Sequence, residues 1–239
     1  MKQTANTDWG SPVIAEWRSA APMWQAYMHH PFVERLGDGS LPKASFLHYL
    51  VQDYVFLIHF SRAWALGVVK SDSHHEMAVC AAIVNALAHD EMRLHVGICA
   101  REGIAEAELF AATEADANLA YTRYVIDAGV SGDFLDLMAA LAPCVFGYAE
   151  IGTRLAREAA PDTPYREWID TYAGEDYQAH CRNVAAMIDR AVADRLGGEP
   201  HRLPRWQALH KRFAMATRLE VDFWQMGLDG RWEGTGAAQ

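Results

Sequence analysis

The chain has 239 residues, 51% of them hydrophobic and 22% charged, which suits one domain with a sizeable core and excludes a disordered chain. Its 21 Lys and Arg against 31 Asp and Glu give a formal net charge of −10, which repels phosphate backbones, and no basic run offsets it. Four scattered cysteines (Cys80, Cys99, Cys144, Cys181) without a C-x-x-C pair fit neither a disulfide scaffold nor a zinc ribbon. The first residues lack the apolar segment of a signal peptide, and the longest uncharged apolar run, Leu137 to Ala149, is too short to cross a bilayer. A soluble, cytoplasmic protein is the expectation.

Helical periodicity dominates. A first helix is predicted from about Pro12 to His30, and a second begins at Pro42. In the second, Phe46, Leu50, Leu57, Phe60 and Trp64 mark one face, and Val51, Tyr54, Val55 and Ile58 make the other sides apolar too. That is the pattern of a central helix wrapped by others. A third runs from Ser73, a candidate N-cap, to Glu102 before Gly103. Further helices are predicted over about Ala115–Ala128, Asp133–Ala159 with a kink at Pro143, Pro164–Leu196 with a break at Gly174, and Pro204–Leu228. Short loops join them (Gly37-Asp38-Gly39, Ala160-Pro161-Asp162, Gly197-Gly198-Glu199-Pro200), and no alternating strand pattern, domain linker or internal repeat appears. The expectation is an all-α fold with residues 1–239 as a single helical bundle.

Polar residues standing where an apolar stripe demands an apolar one locate the chemistry. Asp53 interrupts the Phe46–Trp64 face, Glu91 the face Met77, Cys80, Val84, Leu87, Leu94, Ile98, and Glu220 the face Trp206, Leu209, Phe213, Thr217, Trp224. Cys144 and Tyr148 share a face at i,i+4 with Leu137, Leu141 and Ile151. An unpaired carboxylate in an apolar interior costs several kcal/mol, so three of them on three helices with a thiol on a fourth point to a shared pocket. Asp53, Cys144 and Glu220 together would supply a hydrogen-bonding anion, a nucleophile and a proton donor. Each has a plainer role open to it. A lone cysteine on an apolar face is more often packing, Asp53 could tie a neighbouring helix, Glu220 could pair with Arg218 or Lys211, and Glu91 reads as structural beside Arg93 and His95.

Five segments then carry a resemblance. Phe46-Leu47-His48-Tyr49-Leu50-Val51-Gln52-Asp53-Tyr54, Glu91-Met92-Arg93-Leu94-His95, Leu141 through Gly152, Tyr165 through Tyr172, and Glu220-Val221-Asp222-Phe223-Trp224 resemble, in order, signature segments of the TenA family. These are the thiaminase II-like aminopyrimidine hydrolases of thiamin metabolism, and the matches span about three quarters of the chain. The resemblance implies a haem-oxygenase-like helical fold, a homotetramer and no cofactor or metal. The implied reaction replaces the amine on the exocyclic methylene of 4-amino-5-aminomethyl-2-methylpyrimidine with hydroxyl, with thiamin a slower substrate. By position it makes Cys144 the nucleophile, Glu220 the acid/base and Asp53 the ring-orienting anion, with Tyr121, Tyr148 and Tyr172 around the pyrimidine and Tyr172 near the thiol. Phe56 stands where many family members have a ring-stacking Tyr, so the stacking face is kept without its hydroxyl.

Such chemistry needs Glu220 raised towards neutrality by neighbours such as Phe223 and Trp224, and needs thiolate character at Cys144, to which Tyr172 could donate. Two rivals remain open. The i,i+4 pairs Glu91/His95 and Asp176/His180 could combine with Glu150 into a di-iron oxidase site. Alternatively the chain is a non-catalytic regulatory or binding protein, although its net charge speaks against direct contact with DNA.

Overall fold

A computed structural model describes residues 8–232, which form helices, turns and loops with no strand among them. Ser11 caps α1 (Pro12–Ala20), its hydroxyl accepting from the Ile14 amide with Pro12 in the first turn. The single helix expected over Pro12–His30 is instead divided. Pro22 forces Ala21 into extended backbone, so the chain restarts as α2 (Trp24–Met28). Pro31 does the same to His30, whose ring nitrogen then accepts from the Phe32 amide and caps α3 (Pro31–Asp38). Gly39, at φ +80°, ends α3 in the left-handed region.

Helix α4 (Lys43–Lys70) is the central one, buried on every side from Phe46 to Leu57. The predicted Ser73–Glu102 segment is continuous but not uniform. Helix α5 (His74–Ala86) passes through a π-helical turn at Leu87–Glu91 into α6 (Met92–Arg101), and the short α7 (Glu106–Phe110), absent from the sequence expectation, follows. After α8 (Asp116–Ser131) comes α9 (Phe134–Glu158), capped by Asp133, which remains one helix with Pro143 inside it. Gly174 separates α10 (Arg166–Ala173) from α11 (Glu175–Leu196), and a 3₁₀ turn at Pro200–Arg202 leads into α12 (Pro204–Asp229).

Helix α9 is the hub, packed by α12, α10, α8, α11 and α4. It is long and apolar enough to span a membrane, but 94% of its most apolar window is buried inside the protein, so burial in the core accounts for its composition. Gly152 lets α10 approach it. A Cβ there would lie 2.6 Å from the Tyr172 carbonyl carbon and 2.8 Å from the Ala173 nitrogen, backbone atoms that cannot give way.

The register between α9 and α12 is fixed by ion pairs. Asp136 Oδ1 accepts from Arg205 Nη1 at 3.0 Å and Arg212 Nε at 2.8 Å, while Arg205 Nη2 reaches Asp136 Oδ2 and Asp133 Oδ1, each at 2.6 Å. Burial works against the Asp136 carboxylate, but the Arg205 bond and the two guanidinium charges outweigh it and hold its pKa at about 2. Asp136→Asn is expected to cost about 2 kcal/mol at pH 7, since two arginines lose a charged acceptor. A depressed pKa stabilises fully above the unfolded value near 4 and is lost as pH falls through about 2. Urea unfolding of both proteins should therefore converge towards pH 2 and differ most above pH 4.

Candidate functional site

Asp53 faces inward from α4 and is 3% exposed. Its Oδ2 accepts from the Tyr49 hydroxyl at 2.9 Å and pairs with His95 Nε2 at 2.6 Å. Tyr49 precedes Asp53 by one helical turn and so shares its face. His95 Nδ1 lies 2.9 Å from the Glu91 backbone carbonyl, which can only accept, so that nitrogen carries a proton. Burial disfavours the imidazolium, but the Asp53 bond and charge prevail and raise the His95 pKa above its ordinary value. The Tyr49 oxygen in turn accepts from Trp168 Nε1 at 3.2 Å and from the Tyr148 hydroxyl at 3.4 Å. Both bonds to Asp53 fall on Oδ2, which leaves Oδ1 for a ligand.

Glu220, on α12, is 1% exposed and accepts from the Tyr121 hydroxyl at 2.8 Å. It does not pair with Arg218, which turns outward to Asp222. The Tyr27 hydroxyl and the Cys144 thiol also approach its carboxyl. Burial first, then the Asp53 charge, push the Glu220 pKa up to about 8, while the bonds from Tyr121, Tyr27 and Cys144 pull the other way. Near neutrality it is an acid with a proton to give. Burial, followed by the nearby Glu220, Glu91 and Asp53 carboxyls, drives the Cys144 thiol well above its ordinary value. The resting nucleophile candidate is therefore a thiol.

Aromatic rings enclose these groups. Phe56 packs at 5.0 Å from Tyr121, 5.2 Å from Phe60 and 5.4 Å from Phe223. Tyr148 lies 4.9 Å from Tyr172, 5.2 Å from Trp224 and 5.8 Å from Trp168. Tyr49 connects the two groups, 6.2 Å from Phe223 and 5.3 Å from Trp224. The expected residues Asp53, Phe56, Tyr121, Cys144, Tyr148, Tyr172 and Glu220 thus come to one interior, supplied by α4, α8, α9, α10 and α12.

Cys144 is where that interior opens. It lines a cavity of about 940 Å³ together with Phe60, Glu91, Val145, Tyr177 and Cys181, whose mouth is bordered by the π-helical turn, α10 and α11. Two expectations change here. Tyr172 does not donate to the thiol; its hydroxyl bonds Glu91 Oε1 at 2.7 Å. Glu91 is correspondingly not a surface partner of Arg93 but part of the cavity wall, its pKa raised to about 7 by burial and the Asp53 charge against the opposing pull of His95 and Tyr172. Sequence reasoning passed over Tyr49 and Tyr27 and did not bring Glu91 to Tyr172 or His95 to Asp53. The i,i+4 spacing from Tyr49 to Asp53 was an available signal; nothing local marked Tyr27.

The proposed di-iron ligands are not gathered. Glu150 binds Arg18 at 2.6 Å and Trp24 at 3.2 Å, His95 is taken by Asp53, and Asp176 and His180 stand at the cavity mouth. Among the described residues no group of three His, Cys, Asp or Glu is spaced to hold a metal ion.

Residues 17–230 match the model of the TENA/THI-4/PQQC family. An aminopyrimidine aminohydrolase of Halalkalibacterium halodurans is 36% identical over 217 residues, covering 90% of this chain and 94% of that protein. A crystal structure from Silicibacter sp. TM1040, described as a TenA family transcription regulator, is 57% identical, with a TM-score of 0.89 over 92% of this chain and 97% of that one. At 15% identity, a Shewanella denitrificans domain with a heme oxygenase-like fold gives a TM-score of 0.54 over 89% of this chain and 88% of that one, a likeness of fold alone.

The raised pKa of Glu220 has a consequence for folding. A group raised in the folded state stabilises fully below its unfolded value near 4.5, and that stability is lost as pH rises through about 8. Glu220→Gln removes the ionisation, so its unfolding free energy relative to wild type should rise steadily between pH 5 and pH 8. Urea unfolding at the two pH values measures it.

Proposed function

This chain belongs to the TENA/THI-4/PQQC family, and from that premise we propose that it is an aminopyrimidine aminohydrolase. Its substrate on this reading is 4-amino-5-aminomethyl-2-methylpyrimidine, with thiamin cleaved more slowly, and its products are the hydroxymethyl pyrimidine and ammonia. The observation that carries the reading is the meeting of Cys144, Glu220 and Asp53 from three helices in an aromatic-walled interior that opens at the thiol. The similarity to the aminohydrolase of H. halodurans supports the reaction class.

The chemistry follows from what each group can hold. Phe56 and Tyr148 and the rings around them offer faces to a flat heterocycle. Asp53, bonded to His95 through Oδ2, accepts through Oδ1 from the 4-amino group and fixes the ring's rotation. Glu220 gives its proton to a ring nitrogen, which makes the adjacent carbon electrophilic, and the Cys144 sulfur adds there. The thiol proton passes to the carboxylate just formed, so Glu220 ends the step protonated. Electron density pushed into the ring expels the amine from the methylene. Water then bonds to that carbon, the Cys144 sulfur leaves with its proton returned, and the ring regains aromaticity. One water is consumed and one ammonia released.

The reading extends to residues 1–239 as one domain, a cytoplasmic location and a homotetramer, which light scattering of the purified protein would test. A direct DNA-binding role is disfavoured by the net charge of −10, and a buried, proton-bearing Glu220 beside a thiol has no use in it. Cys144→Ser is expected to lower kcat for ammonia release from the aminomethyl pyrimidine by about 10²-fold or more, because the alcohol is a far weaker nucleophile at neutral pH. Undiminished turnover in that variant would remove Cys144 from the mechanism.

A further inference from the structure

The reaction as derived leaves one proton without an owner. The amine must depart as ammonia, and the incoming water must lose a proton as its oxygen bonds to the methylene. Asp53 is occupied by Tyr49 and His95 on Oδ2 and faces the ring. Glu220 is enclosed by Tyr121, Tyr27 and Cys144 and does not reach the open cavity. Glu91 does. It borders the 940 Å³ cavity beside Cys144, which is open to solvent.

Resting on the reaction proposed above, we propose that Glu91 is a second acid/base, protonating the departing amine and then taking a proton from the attacking water. The Tyr172 hydroxyl holds Oε1 at 2.7 Å and leaves Oε2 as the working oxygen. In the first half, the Glu91 proton moves to the amine nitrogen as the carbon–nitrogen bond breaks and ammonia leaves. In the second, a water proton moves to the Glu91 carboxylate as the oxygen–carbon bond forms. The carboxyl is restored, and no other reactant is needed.

Local backbone explains how this side chain reaches the cavity. Leu87, His89, Asp90 and Glu91 all border it, three of them consecutive, whereas an α-helix turns by about 100° per residue and shows one side only every third or fourth position. The π-helical turn at Leu87–Glu91 widens the helix at this place, as such turns do at functional sites. The groups that face Glu91 are Asp53 on α4, His95 on α6, Cys144 on α9, Tyr172 on α10, and Tyr177 and Cys181 on α11. Burial first, then the Asp53 charge, raises its pKa to about 7 against the pull of His95 and the Tyr172 bond, and a carboxyl there can both give and receive a proton.

Glu91→Gln keeps the shape and removes the proton transfer, and a pair of substrates separates the two roles. The amine of the aminomethyl pyrimidine needs a proton to leave; the quaternary thiazolium nitrogen of thiamin departs as neutral thiazole without one. Full-length Glu91→Gln is expected to lose about 10²-fold or more in kcat with the aminomethyl pyrimidine and about tenfold or less with thiamin. The wild-type rate should fall as pH rises through about 7, and that limb should vanish in Glu91→Gln, where only the later fall through about 8, set by Glu220, should remain. Tyr172→Phe deletes a bond that favours the Glu91 carboxylate, so there the limb should move upward, a readout that stands even where Glu91→Gln fails to fold. Equal losses on both substrates, or a limb that Tyr172→Phe leaves in place, would overturn the assignment. A wild-type protein that releases no ammonia from the aminomethyl pyrimidine would instead overturn the underlying reaction, and this role with it.

Discussion

The site depends on two helices running side by side in one fixed register. Asp136 on α9 is bound by Arg212 on α12, Cys144 lies against Glu220, and the Tyr148 ring packs 5.2 Å from Trp224. The α12 residue's number exceeds that of its α9 mate by 76 at all three levels, so α9 and α12 are parallel and in step. Eight residues, about 12 Å of helix, separate the ion pairs from the thiol and its acid on both helices. A slip of either helix by one residue would rotate its reactive group by about 100° away from the other. The cluster at Asp133, Asp136, Arg205 and Arg212 opposes that slip with charge-assisted bonds whose geometry is specific, something apolar packing alone provides less sharply.

Within that frame, electrostatics divides the work among three carboxyls. Asp53, Glu91 and Glu220 all act on the buried thiol through space, and three anions in one low-dielectric interior repel one another. Among the described residues at this place, His95 is the group able to offset one of them, and it is bonded to Asp53. Burial first, and then the Asp53 charge, raises both Glu91 and Glu220, which rest as acids near neutrality. Burial and one bonded imidazole thus set the two raised carboxyls, Glu91 and Glu220, apart from Asp53.

Much of this was legible in the sequence because helices announce themselves by period. The central helix and the inward-facing Asp53, Cys144 and Glu220 follow from apolar residues at three-and-four spacing, and the stop at Gly103 and the division at Gly174 from the glycines themselves. What was not legible came from departures from that period. Pro22 and Pro31 each force the preceding residue out of helical backbone, and the periodic apolar residues on either side mask the breaks. Regular spacing puts Glu91 on an inward face, but the hydroxyl it meets there belongs to Tyr172, 81 positions later, a pairing that no local spacing announces. Tyr172 was assigned to the thiol for a related reason. A motif gives the element and its neighbourhood, but which of two close acceptors a hydroxyl chooses is decided by the packing of α10 on α9 across Gly152.

The same packing separates recognition from departure. The enclosed rings and Asp53 are suited to one thing, a flat, hydrogen-bonding heterocycle, and Phe56 contributes to that with a face and no hydroxyl. The cavity beyond Cys144 is much larger than an amine needs, and the charged residues on its otherwise largely apolar lining include Asp90, Arg93, Asp170, Glu175 and Asp176. On the proposed reaction the ring is held in the first compartment and whatever is attached to its methylene projects into the second. Discrimination between ring systems then resides in groups that are buried and mutually bonded, where a wrong partner leaves polar atoms unpaired at a cost of about 1–3 kcal/mol each. On the same proposed reaction, discrimination between leaving groups falls to the open mouth of the cavity, where water could stand in for a missing contact at little cost. Such a division would make the proposed reaction strict about the pyrimidine and permissive about its substituent, with Glu91 at the boundary between the two.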